Sequence, residues 1–460
     1  MIHQYKNNGY NIVMDVESGS VHIVDDLTYE LIEALNDRDN NFKAVPFDDV
    51  REYILGRMSG YDAQEIAEAY GEVCELIKDE GLFTPDSMEY ASVDVTKREP
   101  VIKALCLHIA HDCNLSCRYC FASEGEYHGK RELMSFEVGK SALDLLVASS
   151  KGRTNLEVDF FGGEPLMNFD VVKELVAYGR SLEEKHGKKF RFTLTTNGVL
   201  LNDDILEFAN KEMDNLVLSI DGRREVHDKM RPHRGGQGSY DEIVPKFIKA
   251  ANSRNQMNYY VRGTFTHDNL DFSEDVKHLA QLGFKQISVE PVVAPLSESY
   301  AIKKEDIPTI LEQYDILAKY MLKMKEEGKA FNFFHFMIDL TGGPCILKRI
   351  SGCGSGTEYL AVAPNGDLYP CHQFVGMPDF LLGNVKTGVE NTAVSDKFKK
   401  CNVYSKEECR NCFAKYYCSG GCAANAYNYT GDINGVYDIG CTLQRKRVEC
   451  AIMLKAAGEE

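Results

Sequence analysis

The first 85 residues combine a strand-like pattern with several helix-like ones. Residues 10–16 and 20–25 alternate apolar and polar side chains around a Glu-Ser-Gly-Ser turn, which is typical of a β-hairpin. Three amphipathic stretches with the period of a helix follow at 26–36, 47–57 and 63–83. A hairpin with three short helices predicts a winged-helix-like unit, and the polar segment 86–100 predicts a linker behind it.

Six strand-like runs then alternate with helix-like runs. The strand-like runs are 103–110, 155–161, 191–197, 215–220, 259–265 and 285–292, and the helical patterns between them are 136–149, 170–187, 203–213, 240–254 and 273–283. This alternation indicates an α/β unit with a parallel sheet, either doubly wound or curved into a partial barrel. In both architectures the chemistry lies at the carboxyl ends of the strands.

The last hundred or so residues are turn-rich and have little apolar periodicity. We therefore expect metal ligation to supply much of the stability there. The predicted domains are the winged-helix-like unit at 1–92, the α/β unit at 93–310, a connecting helix at 311–344 and a cysteine-rich domain at 345–460.

Composition narrows the possible partners. Hydrophobic residues make up 44% and charged residues 27% of the 460-residue chain, as in soluble globular proteins. There is no run of 18 apolar residues and no signal-peptide pattern, so we expect a cytoplasmic protein without a membrane span. A net charge of −18 argues against nucleic acid as a partner.

The 15 cysteines are unevenly spread. One lies in the first hundred residues, four lie between 106 and 120, none lies between 121 and 344, and ten lie between 345 and 450. Disulfides are not the default in a reducing compartment, so clustered thiols indicate metal ligands.

The first cluster follows the first barrel strand. Cys113, Cys117 and Cys120 have the spacing C-x3-C-x2-C. Iron–sulfur cubes normally take four thiolates, so three would leave one iron open for another ligand. Zinc is the alternative, with His111 or His128 as the fourth ligand.

Polar and glycine residues follow the later strands. Gly162, Gly163, Glu164 and Pro165 follow the second strand, where glycines permit a close backbone approach and a carboxylate can accept from an ammonium. An ordinary turn with proline opening a helix is the alternative. Further candidates at strand ends are Thr196, Asn197, Ser219, Asp221, Arg231 and Glu290. Each of these alone is typical of a turn or a cap.

The C-terminal cysteines form a long pattern. Cys353 is followed by a hairpin with an Asn365–Gly366 turn that ends at Cys371. The array then continues as Cys409-x2-Cys412-x5-Cys418-x3-Cys422 and a distal Cys441.

The first cysteine motif resembles that of the radical S-adenosylmethionine (SAM) superfamily. The resemblance implies a partial (β/α)6 barrel in which a [4Fe–4S] cluster on Cys113, Cys117 and Cys120 chelates SAM. One electron from an external reductant then cleaves SAM to a 5′-deoxyadenosyl radical, which removes a hydrogen from an unactivated carbon. The SAM-binding residues that it implies are Tyr119, Gly162, Gly163, Glu164, Asn197, Ser219 and Arg231.

The C-terminal array resembles the SPASM domain, which implies two auxiliary [4Fe–4S] clusters and three clusters in all. The distal one would use Cys409, Cys412, Cys418 and Cys441, and the one nearer the barrel would use Cys345, Cys353, Cys371 and Cys422. The gap between Cys345 and Cys353 is longer than the pattern expects. Without Cys345, an open iron could bind a substrate thiolate. The cysteines outside all patterns, expected to serve packing, are Cys74, Cys106, Cys401 and Cys450.

The hairpin edge of the N-terminal unit can accept an extended peptide as a strand, and a structural cap or a dimerisation unit fits the same residues equally well. The unit resembles PqqD-like domains, which bind the leader of a ribosomally made precursor peptide. Over its full length the chain resembles the maturases of six-cysteine (SCIFF) peptides, makers of sactipeptide-type thioethers. The implied substrate is a Cys-rich precursor peptide in which a cysteine sulfur is joined to a carbon.

Three other functions remain open. Sulfatase maturases have an aspartate base after the cysteine at position 371, whereas this chain has His372, so the base stays unassigned. A carbon–carbon cross-linking SPASM enzyme is the second alternative. The third is a non-catalytic, zinc-bound scaffold that binds peptides.

Overall fold

The computed structural model describes residues 1–36, 45–85, 97, 99, 101–127, 129–340 and 346–458. Most of the predicted linker, together with His128 and Cys345, lies outside these residues. No helix of the described segments has the length and apolar character needed to cross a membrane.

The N-terminal domain is a three-stranded antiparallel sheet covered by three helices. Its elements are β1 (Ile2–Asn7), β2 (Tyr10–Asp15), β3 (Val21–Val24), α1 (Asp26–Leu35), α2 (Phe47–Arg57) and α3 (Ala63–Lys78). The predicted hairpin is β2–β3, and β1 adds a strand that the sequence pattern missed. Asp62 and Glu65 form a capping box that fixes the start of α3. The helices bury Leu31, Ile54 and Ile66 against Val13 of the sheet.

The central domain contains all six predicted strands. They are β4 (Ala104–His111), β6 (Asn155–Gly162), β7 (Lys189–Thr196), β8 (Asn215–Ser219), β9 (Tyr259–Phe265) and β10 (Gln286–Pro291), with the short β5 (Glu132–Leu133) beside β4. The helices are α4 (Phe136–Ser149), α5 (Phe169–His186), α6 (Asp203–Glu212), α7 (Arg224–Met230), α8 (Tyr240–Ser253), α9 (Phe272–Gln281) and α10 (Ile307–Glu326).

The order of the strands decides between the two predicted architectures. The parallel strands β4, β6, β7, β8, β9 and β10 lie side by side in chain order. A doubly wound sheet would reverse its order at a switch point, and this sheet does not. The fold is therefore the predicted partial (β/α)6 barrel with a C-terminal cysteine-rich domain.

The C-terminal domain extends the barrel sheet. Its elements, after β11 (Asn332–Phe333) beside β10, are α11 (Ile346–Ser351), β12 (Tyr359–Val362), β13 (Asp367–Tyr369), β14 (Gly383–Asn384), β15 (Gly388–Val389), α12 (Thr392–Lys400), α13 (Glu407–Arg410), α14 (Lys415–Cys418), α15 (Ala423–Thr430) and α16 (Asp438–Ala456). Strand β12 pairs in parallel with β4, and Gly366 turns the predicted hairpin into β13 with a φ of 90°. This pairing brings Cys371, two residues after β13, to the side of the barrel that carries the first cysteine loop.

Candidate active site

One large cavity, with a volume of about 560 Å³, opens at the carboxyl ends of the barrel strands. Its wall contains Cys113, Cys117 and Cys120, together with all seven residues predicted to bind SAM. The same wall continues into the C-terminal domain through Cys409, Cys418, Cys422 and Cys441. The structure therefore joins the two cysteine groups through one shared space.

The first cysteine loop follows directly from β4. The pKa of the Cys113 and Cys117 thiols is raised to about 12, mainly by burial, and the charges of neighbouring cysteines in the loop act in the same direction. Thiols ligate metal as thiolates, so binding a cluster here would release protons. Three grouped thiols on the cavity wall fit the thiolate chemistry of an iron–sulfur cluster. His111, the alternative zinc ligand, instead lies with its Nε2 3.0 Å from Nδ1 of His108.

The glycine turn after β6 packs against this loop. Gly163 donates its N–H to the carbonyl of Ala110 at 2.7 Å, and Glu164 donates its N–H to that of Asp112 at 2.8 Å. A Cβ on Gly163 would lie 2.1 Å from the Asp112 carbonyl oxygen, and one on Gly162 would lie 2.4 Å from that of Ala110. The two glycines are therefore required by a backbone-to-backbone approach that positions the cysteine loop.

Glu164 ties this turn to the end of the next strand. Its carboxylate accepts from the Thr196 hydroxyl (2.8 Å), the Asn197 N–H (2.8 Å) and the Leu166 N–H (3.0 Å). Burial raises its pKa to about 7, and these donors act in the opposite direction. Oε2 accepts only one of these bonds, so it retains room for one further donor from the cavity.

Asn197 connects the same strand end to the cysteine loop. Its Nδ2 donates to Oδ1 of Asn114 at 2.7 Å and lies 3.6 Å from Sγ of Cys113. Hydrogen bonds to ligating sulfurs influence the potential of a cluster.

Asp221, fully buried after β8, organises the opposite wall. It accepts from the Tyr119 hydroxyl at 2.7 Å, from Nε of Arg231 at 3.0 Å and from the Thr264 N–H at 2.9 Å. Among the described residues, the two terminal nitrogens of Arg231 have no partner, and the side chain lines the cavity. A guanidinium so placed can bind a carboxylate.

The array cysteines separate into the two predicted groups. Cys409, Cys412, Cys418 and Cys441 form one electrostatic group, because the pKa of Cys418, raised to about 12 mainly by burial, is raised further by the other three. Burial also raises the pKa of Cys371, and the charges of Cys353 and Cys422 act in the same direction. Among the described residues, no three His, Cys, Asp or Glu side chains are arranged to hold a single metal ion.

Cys401, which is expected to serve packing, is half-buried and packs against the main hydrophobic core. Burial raises the pKa of the Cys401 thiol, and the charges of Cys353 and Cys422 raise it as well. Its Sγ lies 3.3 Å from the carbonyl oxygen of Ile433. It therefore lies beside the nearer group, although its spacing fits no pattern. Cys345, the fourth predicted ligand of that group, lies outside the described residues.

His372 lines the cavity beside the nearer cysteine group. Its ring lies 5.2 Å from that of Phe161 and 5.7 Å from that of Phe121. Burial lowers its pKa to about 4, so the imidazole is neutral near pH 7.

Sequence reasoning missed two arginines in the wall. Arg262 pairs with Glu290 at 2.8 Å, and Arg447 of α16 is 8% exposed with Nη2 unpartnered among the described residues. Arg447 lies on the same helical stripe as the buried Leu443 and Cys450. A charged residue within an apolar stripe was the signal that could have revealed it.

The amino-acid sequence matches two family models. Residues 107–279 match the radical SAM superfamily, and residues 353–413 match SPASM, an iron–sulfur cluster-binding domain. The chain carries a radical SAM domain and a SPASM domain. These two matched segments contain the first cysteine loop and four of the eight predicted ligands of the C-terminal array, namely Cys353, Cys371, Cys409 and Cys412.

The relatives are similar to the chain at low identity. The cysteine-type anaerobic sulfatase-maturating enzyme of Clostridium novyi (strain NT) is 25% identical over 335 residues, which are 68% of this chain and 86% of the relative. The structure of native anSMEcpe with bound AdoMet and Cp18Cys peptide matches with a TM-score of 0.64 and 20% identity, covering 78% of this chain and 100% of that one.

A third match extends further along the chain. Streptococcus suis SuiB bound to the precursor peptide SuiA matches with a TM-score of 0.52 and 14% identity, covering 94% of this chain and 97% of that one. Coverage of 94% means that the match reaches into the N-terminal domain.

Proposed function

We propose that this radical SAM and SPASM protein forms thioether cross-links in a Cys-rich, ribosomally made precursor peptide. The observation that carries the proposal is the single cavity that connects the first cysteine loop with the array. A peptide segment held there would contact both regions at once. With bound clusters and SAM, the site would supply a 5′-deoxyadenosyl radical and places to store single electrons, with the first electron coming from an external reductant.

In this proposal, the residues around the first cysteine loop bind different parts of SAM. The terminal nitrogens of Arg231 would bind the SAM carboxylate, and the free acceptor position of Glu164 would receive a donor from the SAM ammonium. Asp221 holds Arg231 and Tyr119 in place from behind. Ser219, also on the wall, is suited to the ribose hydroxyls.

The substrate leader would bind at the N-terminal sheet. Strand β3 ends this sheet, and its outer edge pairs with no strand among the described residues. An extended peptide can add to such an edge through main-chain hydrogen bonds. The match with SuiB, solved with its precursor peptide, supports this role.

Formylglycine formation is a second candidate, which the similarity to sulfatase-maturating enzymes favours. The residue after Cys371 is His372, a half-buried imidazole whose lowered pKa of about 4 makes it a weak base. A reaction that depends on a carboxylate base at this position would therefore proceed poorly.

Product masses test the proposal. The reconstituted protein is incubated anaerobically with SAM, a reductant and short candidate Cys-rich peptides, and the products are alkylated before mass spectrometry. We expect a loss of two hydrogens per event at cysteines that resist alkylation, and no product from the Cys113→Ala variant. An aldehyde at one cysteine would favour the sulfatase-type reaction, and a loss of two hydrogens with every thiol still alkylated would indicate a carbon–carbon link.

A further inference from the structure

A buried lysine lies between the loops that carry the array cysteines. Lys406 is 4% exposed, and its Nζ donates to the carbonyl of Gly420 at 3.0 Å and to that of Gly435 at 3.2 Å. Gly420 lies between Cys418 and Cys422, and Gly435 lies shortly before Cys441. The ammonium is therefore clamped between two ligand-bearing segments.

Lys406 has no carboxylate partner among the described residues. Lys415 of the same domain is equally buried, at 3% exposure, but it forms an ion pair with Glu17 at 2.7 Å. A buried charge is costly unless an opposite charge compensates it, and two carbonyl dipoles compensate only in part. The environment of Lys406 therefore lacks an anion.

Beyond these two carbonyls, three cysteine thiols lie within electrostatic range of Lys406, those of Cys401, Cys409 and Cys441. Lys406 lines the large cavity together with Cys409 and Cys441, and a second cavity of about 60 Å³ together with Cys353 and Cys401. Burial raises the pKa of Cys409 to about 11, and the ammonium of Lys406 acts in the opposite direction. Four thiolates around a [4Fe–4S] core give a net negative charge, which would supply the anion that Lys406 lacks.

We propose that Lys406 is the buried counter-charge of the auxiliary clusters and raises their reduction potential. Reduction makes a cluster more negative, so a fixed positive charge in a low-dielectric environment stabilises the reduced form more than the oxidised one. A cluster with a higher potential takes up an electron more readily. The inference rests on the auxiliary clusters of the proposed function, but not on the identity of the peptide product.

Redox titration tests the inference without a substrate. The full chain carries Cys113→Ala, Cys117→Ala and Cys120→Ala, so that only auxiliary clusters contribute to the electron paramagnetic resonance signal. Three variants of this background protein are reconstituted anaerobically with iron and sulfide: Lys406→Met, Lys406→Arg and Lys400→Met. We expect Lys406→Met to shift the midpoint of the auxiliary signal to a more negative potential and Lys406→Arg to restore it. Lys400 is exposed, so Lys400→Met, with the same change of net charge, should leave the midpoint unchanged.

The other outcomes are also decisive. If Lys406→Met fails to load iron and sulfide while Lys406→Arg loads, the need for a positive charge is supported. An unchanged midpoint in Lys406→Met, or loss of the clusters in both Lys406 variants, would overturn the inference. If the background chain with Lys406 intact contains no sulfide, the cluster assignment of the proposed function fails instead.

Discussion

The side chain of Glu164 connects two strand ends, a structural role that its sequence motif does not reveal. The side chain is 1% exposed, and its three internal hydrogen bonds connect the glycine turn to the end of β7. Burial raises its pKa from 4.5 to about 7, so the folded protein holds this proton more tightly than the unfolded chain does. Between these two pH values the folded state therefore binds more protons, and this group makes stability fall as pH rises.

The Glu164→Gln variant should show this dependence. The amide would present its NH₂ to backbone donors, at a cost of about 1–3 kcal/mol near pH 5. Through this group, the free energy of unfolding of the wild type should fall by up to about 3 kcal/mol between pH 4.5 and 7, whereas that of the variant should not. The stability difference between the variant and the wild type should therefore be smaller at pH 8 than at pH 5. Urea unfolding at pH 5 and pH 8 measures this difference. Glu207→Gln, at an exposed position, is the matched control, and an equal deficit at both pH values would contradict the account.

The sequence motifs draw attention to the candidate cysteines, but they do not show which residues surround and position them. Ligand cysteines share short spacings along the chain, so Cys113 and its neighbours are visible as a motif. The task of Asp221 depends on three segments, those of Tyr119, Arg231 and Thr264, that meet only in the folded chain. The surroundings of Arg447 and Lys406 depend in the same way on the packing of distant segments.

At the scale of elements, the end of β4 and the turn after β6 form one unit. Their backbones approach so closely that Gly163 has no room for a side chain. The cysteine loop begins at the same point, so its position depends on this contact.

Gly163→Ala should therefore disturb the loop. Its Cβ would lie 2.1 Å from the Asp112 carbonyl oxygen, and the backbone must move to relieve the overlap, which we expect to cost more than about 2 kcal/mol. Unfolding by urea and the iron content after reconstitution measure the effect. Gly152→Ala is the control, because a Cβ there meets nothing within 4 Å. Equal stability and iron content in the two variants would show that the contact does not hold the loop.

Apolar periodicity predicted the six barrel strands but not β1. Side chains of β1 make polar contacts with the rest of the chain. Nε2 of His3 lies 3.0 Å from the Glu449 carboxylate, and Gln4 donates to the carbonyl of Tyr29 at 2.9 Å. Because these positions are polar, β1 shows no hydrophobic alternation in the sequence. The sequence also left the choice between a doubly wound sheet and a barrel open, because both architectures have the same alternation of strands and helices along the chain.

At the scale of the whole molecule, the N-terminal domain docks onto the SPASM domain. The buried pair Glu17–Lys415 joins the loop after β2 to α14, which also carries Cys418. The rings of His3 and Phe413 stack at 3.5 Å, and the Tyr5 hydroxyl donates to the carbonyl of Glu449. The domain that carries the proposed leader site is therefore in direct contact with the segment that carries Cys418.

Breaking this pair should destabilise the docked arrangement. Lys415→Met leaves the Glu17 carboxylate buried without a partner, which costs about 3–5 kcal/mol. The double variant Glu17→Gln with Lys415→Met removes both charges and should recover most of the loss. Thermal unfolding of the two variants measures the difference. A single variant as stable as wild type would contradict the buried pair.

Cleavage of SAM is the measurement that tests the account most directly. In the proposed function, this reaction depends on a cluster that Cys113, Cys117 and Cys120 would hold. The protein is reconstituted anaerobically with iron and sulfide and supplied with SAM and a chemical reductant, and 5′-deoxyadenosine is quantified by liquid chromatography. We expect wild type and Cys74→Ala, which changes a cysteine outside all three groups, to form 5′-deoxyadenosine, and Cys113→Ala to form none above background. Continued formation in Cys113→Ala, or a wild-type protein that binds zinc without sulfide and leaves SAM intact, would contradict the account.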